Sequence, residues 1–119
     1  MTETPKQKRY DLEERTQKFA SRVNEYVNKL PRTISNTENG KQLVRSAGSV
    51  GANYIEANES LSKKDFIVRI KICRKEARES EYWLTLASPT ESHLNEKATL
   101  IQEATELRKI FGAILEKSK

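Results

Sequence analysis

The sequence predicts an all-α chain folded as an antiparallel, up-down-up-down four-helix bundle. Apolar residues recur at three- and four-residue spacings in four stretches, and short polar links, two of them carrying Pro31 and Pro89, separate these stretches. No sustained period-two alternation is present, and turn signals are too widely spaced for hairpins. A chain of 119 residues has room for one core, and 35% apolar with 33% charged content suits narrow buried stripes beneath charged outer faces. The apolar residues are periodic rather than merely scarce, which separates the chain from disordered sequences.

Residues 1–10 are polar and basic around Pro5 and read as a flexible lead-in, leaving 11–116 as the bundle domain. The first helix is expected to start near Asp11, with Glu13 and Glu14 favourably placed in its first turn. Leu12, Phe19, Val23, Tyr26, Val27 and Leu30 mark its buried stripe, and Pro31 stops it. Pro31 to Asn39 reads as a loop, with Asn36 or Thr37 able to cap the second helix, which runs to about Glu59. Ser62 looks like the cap of the third, with Asp65 three residues on. That helix carries Phe66, Ile70, Cys73, Ala77, Ser80 and Leu84 on one face, widened by Ile67, Trp83 and Leu86, and Pro89 ends it. Thr90 or Ser92 opens the last helix, whose expected stripe is Leu94, Ala98, Ile101, Thr105, Leu107 or Arg108, Phe111 and Leu115.

The stretch Gln42 to Ala57 organises the chain. Leu43, Ala47, Val50 and Tyr54 form one helical face, interrupted by Gly48 and Gly51, each costing about 1 kcal/mol against alanine in a helix interior. Ala47, Gly48, Gly51 and Ala52 together make a smooth patch that suits close packing by another helix. Arg45, Ser49, Asn53 and Glu56 follow a second, polar stripe. It is either a solvated face or, through Arg45, Asn53 and Glu56, a specific contact across a subunit or partner surface. Tyr82 and Trp83 are adjacent and cannot share one helical face, so at least one lies at the edge of the third stripe. Small residues on the second helix beside an extra aromatic on the third suit a homo-oligomer, though packing within one chain uses both as well.

The net charge is +5 and unevenly spread: Lys and Arg outnumber Asp and Glu by eight to five over residues 1–32 and by seven to four over 63–88, while 89–119 balances at five each. A basic balance favours an anionic partner such as nucleic acid. With the single Cys73 no intrachain disulfide forms, which suits a reducing cytoplasm. The N-terminus lacks the apolar core of a secretory signal, and no apolar run approaches the roughly 20 residues a membrane span needs.

Catalytic and metal chemistry find little support. His93 is the only histidine and reads as an exposed polar residue beside a helix start; no cysteine pair or Glu-x-x-His motif accompanies it. Cys73 sits on an apolar stripe, where a buried, unreactive thiol is expected. Gly48-Ser49-Val50-Gly51 lacks the lysine and serine of a phosphate loop and follows no strand. No cofactor, no metal and no enzymatic activity are expected.

The third helix offers more. Lys71, Arg74, Lys75 and Arg78 fall on one side of it, away from the apolar stripe, and such a row suits phosphate neutralisation. The plain alternative is a solvated face in which Lys75 and Glu79 pair at i, i+4. Tyr54, Phe66 and Trp83 all read as core or interface, so no exposed aromatic platform for stacking single-stranded bases is expected.

Leu43-Val44-Arg45-Ser46-Ala47-Gly48-Ser49-Val50-Gly51-Ala52-Asn53-Tyr54-Ile55-Glu56-Ala57 resembles the signature of the bacterial four-helix-bundle proteins named for intervening sequences in large-subunit ribosomal RNA genes, roughly Ile-Arg-Arg-Ala-Ala-x-Ser-Ile-Pro-x-Asn-Ile-Ala-Glu-Gly. Ser62-Lys63-Lys64-Asp65-Phe66 and Ala77-Arg78-Glu79-Ser80-Glu81-Tyr82-Trp83-Leu84 are similar to its later segments, so the resemblance covers most of 11–115. Gly51 stands where the family often has proline, and Asn58 where it has glycine. The resemblance implies a bundle assembled into a ring, typically a homopentamer, without an established activity. A related branch, the accessory variability determinant of diversity-generating retroelements, binds nucleic acid, which by similarity makes Arg45, Lys71, Arg74, Lys75 and Arg78 the expected contacts. The expected function is non-enzymatic: binding structured RNA or a nucleic-acid complex through basic helix faces, or alternatively serving as a protein-interaction adaptor with no nucleic-acid ligand. Ala47, Gly48, Gly51, Asn53, Tyr54, Glu56 and Trp83 are the expected packing or interface residues.

Overall fold

The computed structural model of the protein describes residues 6–119, with side chains from Asp11 onward. Four helices follow one another: α1 (Lys6–Asn28), α2 (Ile34–Asn58), α3 (Lys63–Leu86) and α4 (Leu94–Lys117), with a 3₁₀ turn at Glu91–His93 leading into α4. They form an all-α four-helix bundle with extents of 46 × 22 × 19 Å. The pairings of α2 with α3 and α3 with α4 are the most extensive, and α1 meets α4 only thinly. No helix among the described residues is long and apolar enough to cross a membrane.

The periodic stripes become the core. Phe19, Val23, Tyr26, Leu43, Ala47, Val50, Tyr54, Phe66, Ile70, Cys73, Ala77 and Leu84 are all fully buried, and Tyr54 packs against Phe111 with ring centroids 5.7 Å apart. Ser62 caps α3 as expected, accepting from the Asp65 amide at 3.1 Å. Burial pushes the Cys73 thiol up to about 12, and its Sγ lies 3.4 Å from the Val50 carbonyl that accepts its hydrogen bond. A thiol so held stays protonated and unreactive at neutral pH.

Leu86, expected to widen the buried face of α3, is exposed, and three further local expectations shift. α1 begins at Lys6, ahead of the Asp11 start; of the lead-in read over 1–10, residues 1–5 lie outside the described residues. α2 begins at Ile34, inside the segment read as a loop, because Thr33 rather than Asn36 or Thr37 has the extended backbone of a cap, its hydroxyl accepting from the Asn36 amide. In α4 the buried stripe is Leu100, Ala104, Leu107, Phe111 and Leu115, so Leu94 and Ala98 face outward and Ile101 and Thr105 sit at the edge. The register that buries Leu100, Leu107 and Phe111 leaves Thr105 at the edge, where it donates to Glu81 Oε1 at 2.8 Å.

Freed from capping, Asn36 ties the two loops at one end of the bundle. Its Nδ2 donates to the carbonyls of Pro31 and Ser88 at 3.0 and 2.9 Å, and its Oδ1 accepts from the Ser88 amide at 2.9 Å. Lys97 Nζ donates to the carbonyls of Thr85 and Ala87, closing the end of α3 beside it. Asn36→Ala removes three hydrogen bonds from a buried position and is expected to destabilise the fold by about 2–3 kcal/mol. Urea denaturation followed by circular dichroism checks this; an unchanged midpoint would show that the loops need no such tie.

The smooth patch on α2 divides in two. Ala47 is core, and Gly51 lies under α1, where an added Cβ would meet Thr16 Oγ1 at 2.9 Å; Gly48 faces open space, and Ala52 is exposed. Thr16 cannot move aside cheaply, since its hydroxyl donates to the Leu12 and Glu13 carbonyls. Gly48→Ala is therefore expected to stabilise by about 0.5–1 kcal/mol through helix propensity alone. Gly51→Ala is expected to destabilise despite the same gain. Thermal melts of the two variants read the opposite signs directly.

Candidate nucleic-acid interface

The row on α3 is built by helical register. Lys71, Lys75 and Arg78 are all exposed and succeed one another at four and three residues, while the opposite face of the same turns buries Ile70, Cys73 and Ala77. Arg74 projects towards α4, where Gly112 leaves room: a Cβ there would stand 4.0 Å from Arg74 Cδ. Across the seam, α4 contributes Arg108 and Lys109. The result is a groove of about 660 Å³ lined by Lys71, Arg74, Lys75, Arg78, Arg108, Lys109 and Gly112, in which every side chain is cationic.

What marks these cations out is that unpaired charges are clustered in one groove. Elsewhere, Arg15 bridges α1 to Glu103 and Glu106 of α4, Lys29 holds Glu96, and Arg45 holds Glu76 and Glu79. The Glu103 hydrogen bond drives the Arg15 pKa still further up, and Glu106 is held below its usual value by Gln102 and then by Arg15. In the groove only Arg108 is so engaged, by Glu81 at the edge of the α3–α4 seam. Among the described residues, Lys71, Arg74, Lys75, Arg78 and Lys109 have no carboxylate within ion-pairing distance. The Lys75–Glu79 pair that would have made an ordinary solvated face does not form; Glu79 accepts from Arg45 of α2 at 2.9 Å instead. Like charges crowded along one groove repel, and a line of phosphates relieves that repulsion while releasing its own counterions.

The residues expected at the site are thus partly separated. Lys71, Arg74, Lys75 and Arg78 come together; Arg45 lies on the α2–α3 side, committed to two glutamates. Asn53 donates to the Ser49 carbonyl and accepts from Arg69, so it serves the contact of α2 with α3. Ala47 and Tyr54 are fully buried, Trp83 is partly buried against the core, Gly51 meets α1, and Gly48 and Glu56 are exposed. Arg108 and Lys109 were missed from sequence because the last helix is charge-balanced, and only its packing against α3 brings them to the groove. His93 bonds locally through Nδ1 to Thr90 at 3.0 Å. No group of three His, Cys, Asp or Glu suited to a metal ion occurs among the described residues.

Of the adjacent aromatics Tyr82 is the one at the edge of the stripe, and its exposure supplies the aromatic surface that was not expected. Tyr82, one turn beyond Arg78, is 52% exposed and meets Trp83 edge to face at a centroid distance of 4.9 Å.

Comparison with known proteins gives two findings. The family model for the 23S rRNA-intervening sequence protein matches residues 8–113. A crystal structure of a protein with unknown function from the S23 ribosomal protein family of Bacteroides thetaiotaomicron VPI-5482 is similar with a TM-score of 0.78 and 31% identity, covering 92% of this chain and 98% of that one. No curated protein matches.

Proposed function

The chain belongs to the 23S rRNA-intervening sequence protein family, and from that footing we propose that it is a non-enzymatic RNA-binding protein whose α3–α4 groove takes the phosphate backbone of structured RNA. The observation that carries this reading is the groove itself: six cationic side chains and one glycine, with five of the cations lacking a carboxylate partner among the described residues. Exposed cations that are already paired contribute little to an anionic ligand, because binding must first break the pair. Unpaired cations in a concave row contribute fully, and Arg74 and Arg78 offer forked donors suited to phosphate oxygens.

The same reading has the protein act in the cytoplasm as a ring of identical copies. The exposed face of α2 supports assembly: Val44, Gly48, Ala52 and Ile55 lie along one side at four-, four- and three-residue spacing, with open space over Gly48. Exposed Ile34 and Leu61 offer a protein partner less, since they lie at the start of α2 and in the α2–α3 link rather than in one patch.

Analytical ultracentrifugation with and without mixed cellular RNA tests both parts. A defined oligomer that takes up RNA at low salt and sheds it at high salt is the expected result. An oligomer indifferent to RNA at every salt concentration points instead to a protein-interaction adaptor, and a monomer refutes the ring.

A further inference from the structure

Tyr82 stands where the cationic row runs out, and the register of α3 explains why that matters. Lys71, Lys75, Arg78 and Tyr82 succeed one another at four, three and four residues, so all four share one crest of the helix. From Arg78 to Tyr82 the rise is about 6 Å, one short step along the same line. The ring is not spent on the fold: it is 52% exposed, and its hydroxyl makes no hydrogen bond among the described residues. Its position is nevertheless set, because Trp83 packs against it at 71° while itself lying against the core. Glu81, its other neighbour, is turned away to Arg108 and Thr105.

Exposed aromatics are chemically informative beside a phosphate track. A paired duplex buries its base faces in its own stack and offers a protein backbone and groove edges. An unpaired base offers a bare π-face, and a fixed aromatic ring next to a cationic groove is what such a base stacks on. We propose that Tyr82 is a base-stacking residue, so that the groove selects RNA in which an unpaired nucleotide adjoins the strand held by Lys71, Arg74, Lys75 and Arg78. This rests on the RNA-binding reading above and narrows its ligand from any polyanion to RNA with a loop, bulge or single-stranded end. Tyr82 confers the choice between RNA forms, and the cations confer the charge-dependent affinity.

The test uses the full chain and three synthetic RNAs of equal phosphate count: a blunt duplex, a hairpin with an open loop and an unstructured strand. Trp83 is the only tryptophan and touches Tyr82, so its fluorescence reports a base arriving at that ring, while anisotropy of labelled RNA gives affinity independently. The parent is expected to bind hairpin and single strand more tightly than duplex at matched salt. Tyr82→Ala is expected to lose on the order of tenfold for the hairpin, within the range for one stacked base, with duplex affinity and salt slope unchanged. Tyr82→Phe is expected to keep the preference, and Tyr82→Leu, which retains apolar bulk without a π-face, to lose it. Matching melting curves establish that the variants are folded. Equal loss for duplex and hairpin, or no loss for either, overturns the stacking role while leaving the groove intact. Binding unaffected by charge reversal of the four α3 cations overturns the groove reading, and no binding by the parent overturns both.

Discussion

Replacing Lys71, Arg74, Lys75 and Arg78 together by glutamate is expected to abolish measurable RNA binding at physiological salt while leaving the melting temperature nearly unchanged. All four are exposed and none has an ion-pair partner among the described residues, so the fold loses no ion pair. If each contacts one phosphate, the slope of log affinity against log salt should shallow by about 3 to 4 units on substitution by neutral glutamine. Affinity at low salt should fall on the order of 10²- to 10³-fold, taking somewhat under 1 kcal/mol per exposed contact. The glutamate variant should fall further, since it repels what the parent attracts. Arg45→Glu serves as the contrast. It changes the total charge in the same direction, but Arg45 is held by Glu76 and Glu79 outside the groove, so its effect on binding should be small and its effect on stability larger. A salt titration by anisotropy separates the cases. Equal binding losses from Arg45→Glu and from one groove substitution would show that net charge, rather than the groove, is what RNA senses.

The largest expected effect on stability comes from Phe111→Ala. Phe111 is fully buried in the C-terminal half of α4, and its ring meets that of Tyr54 from α2 at 5.7 Å across the bundle. Truncation removes the apolar area and leaves a cavity among rigid neighbours, a loss of about 3–5 kcal/mol. For a small domain of marginal stability that is much of the total, so a large drop in the urea midpoint or outright unfolding at room temperature is expected. Phe111→Leu preserves most of the volume and should lose far less. A midpoint for the alanine variant close to the parent's would mean that the α2–α4 contact contributes little and that the α2–α3 and α3–α4 pairings hold the bundle alone.

The two experiments probe neighbouring helices, the outer face of α3 and the inner face of α4. α4 was legible as a helix, yet its buried face was expected to include Leu94 and Ala98, and both are exposed. Two interleaved stripes at similar spacing compete in that sequence, one through Leu94, Ala98 and Ile101, the other through Leu100, Ala104 and Leu107. Periodicity alone cannot choose between them. The choice is made in the packing against the other helices, where Leu100, Leu107 and Phe111 bury completely.

What this sequence determines by itself is whatever depends on residues a few positions apart. The buried faces of α1, α2 and α3, the Ser62 cap, the interruptions at Pro31 and Pro89 and the row Lys71, Arg74, Lys75 and Arg78 follow from spacing along one helix, because the helix repeat carries each residue to a known side. What only the tertiary structure decides is which of several local partners a group takes. Glu79 leaves Lys75 for Arg45, Asn36 leaves the cap for the loops, Gly51 lies beneath Thr16 while Gly48 lies open, and Arg108 and Lys109 cross a seam to complete the groove. Each outcome turns on the distance between side chains on different helices, and that distance is set by how the cores interlock, a property no single helix possesses.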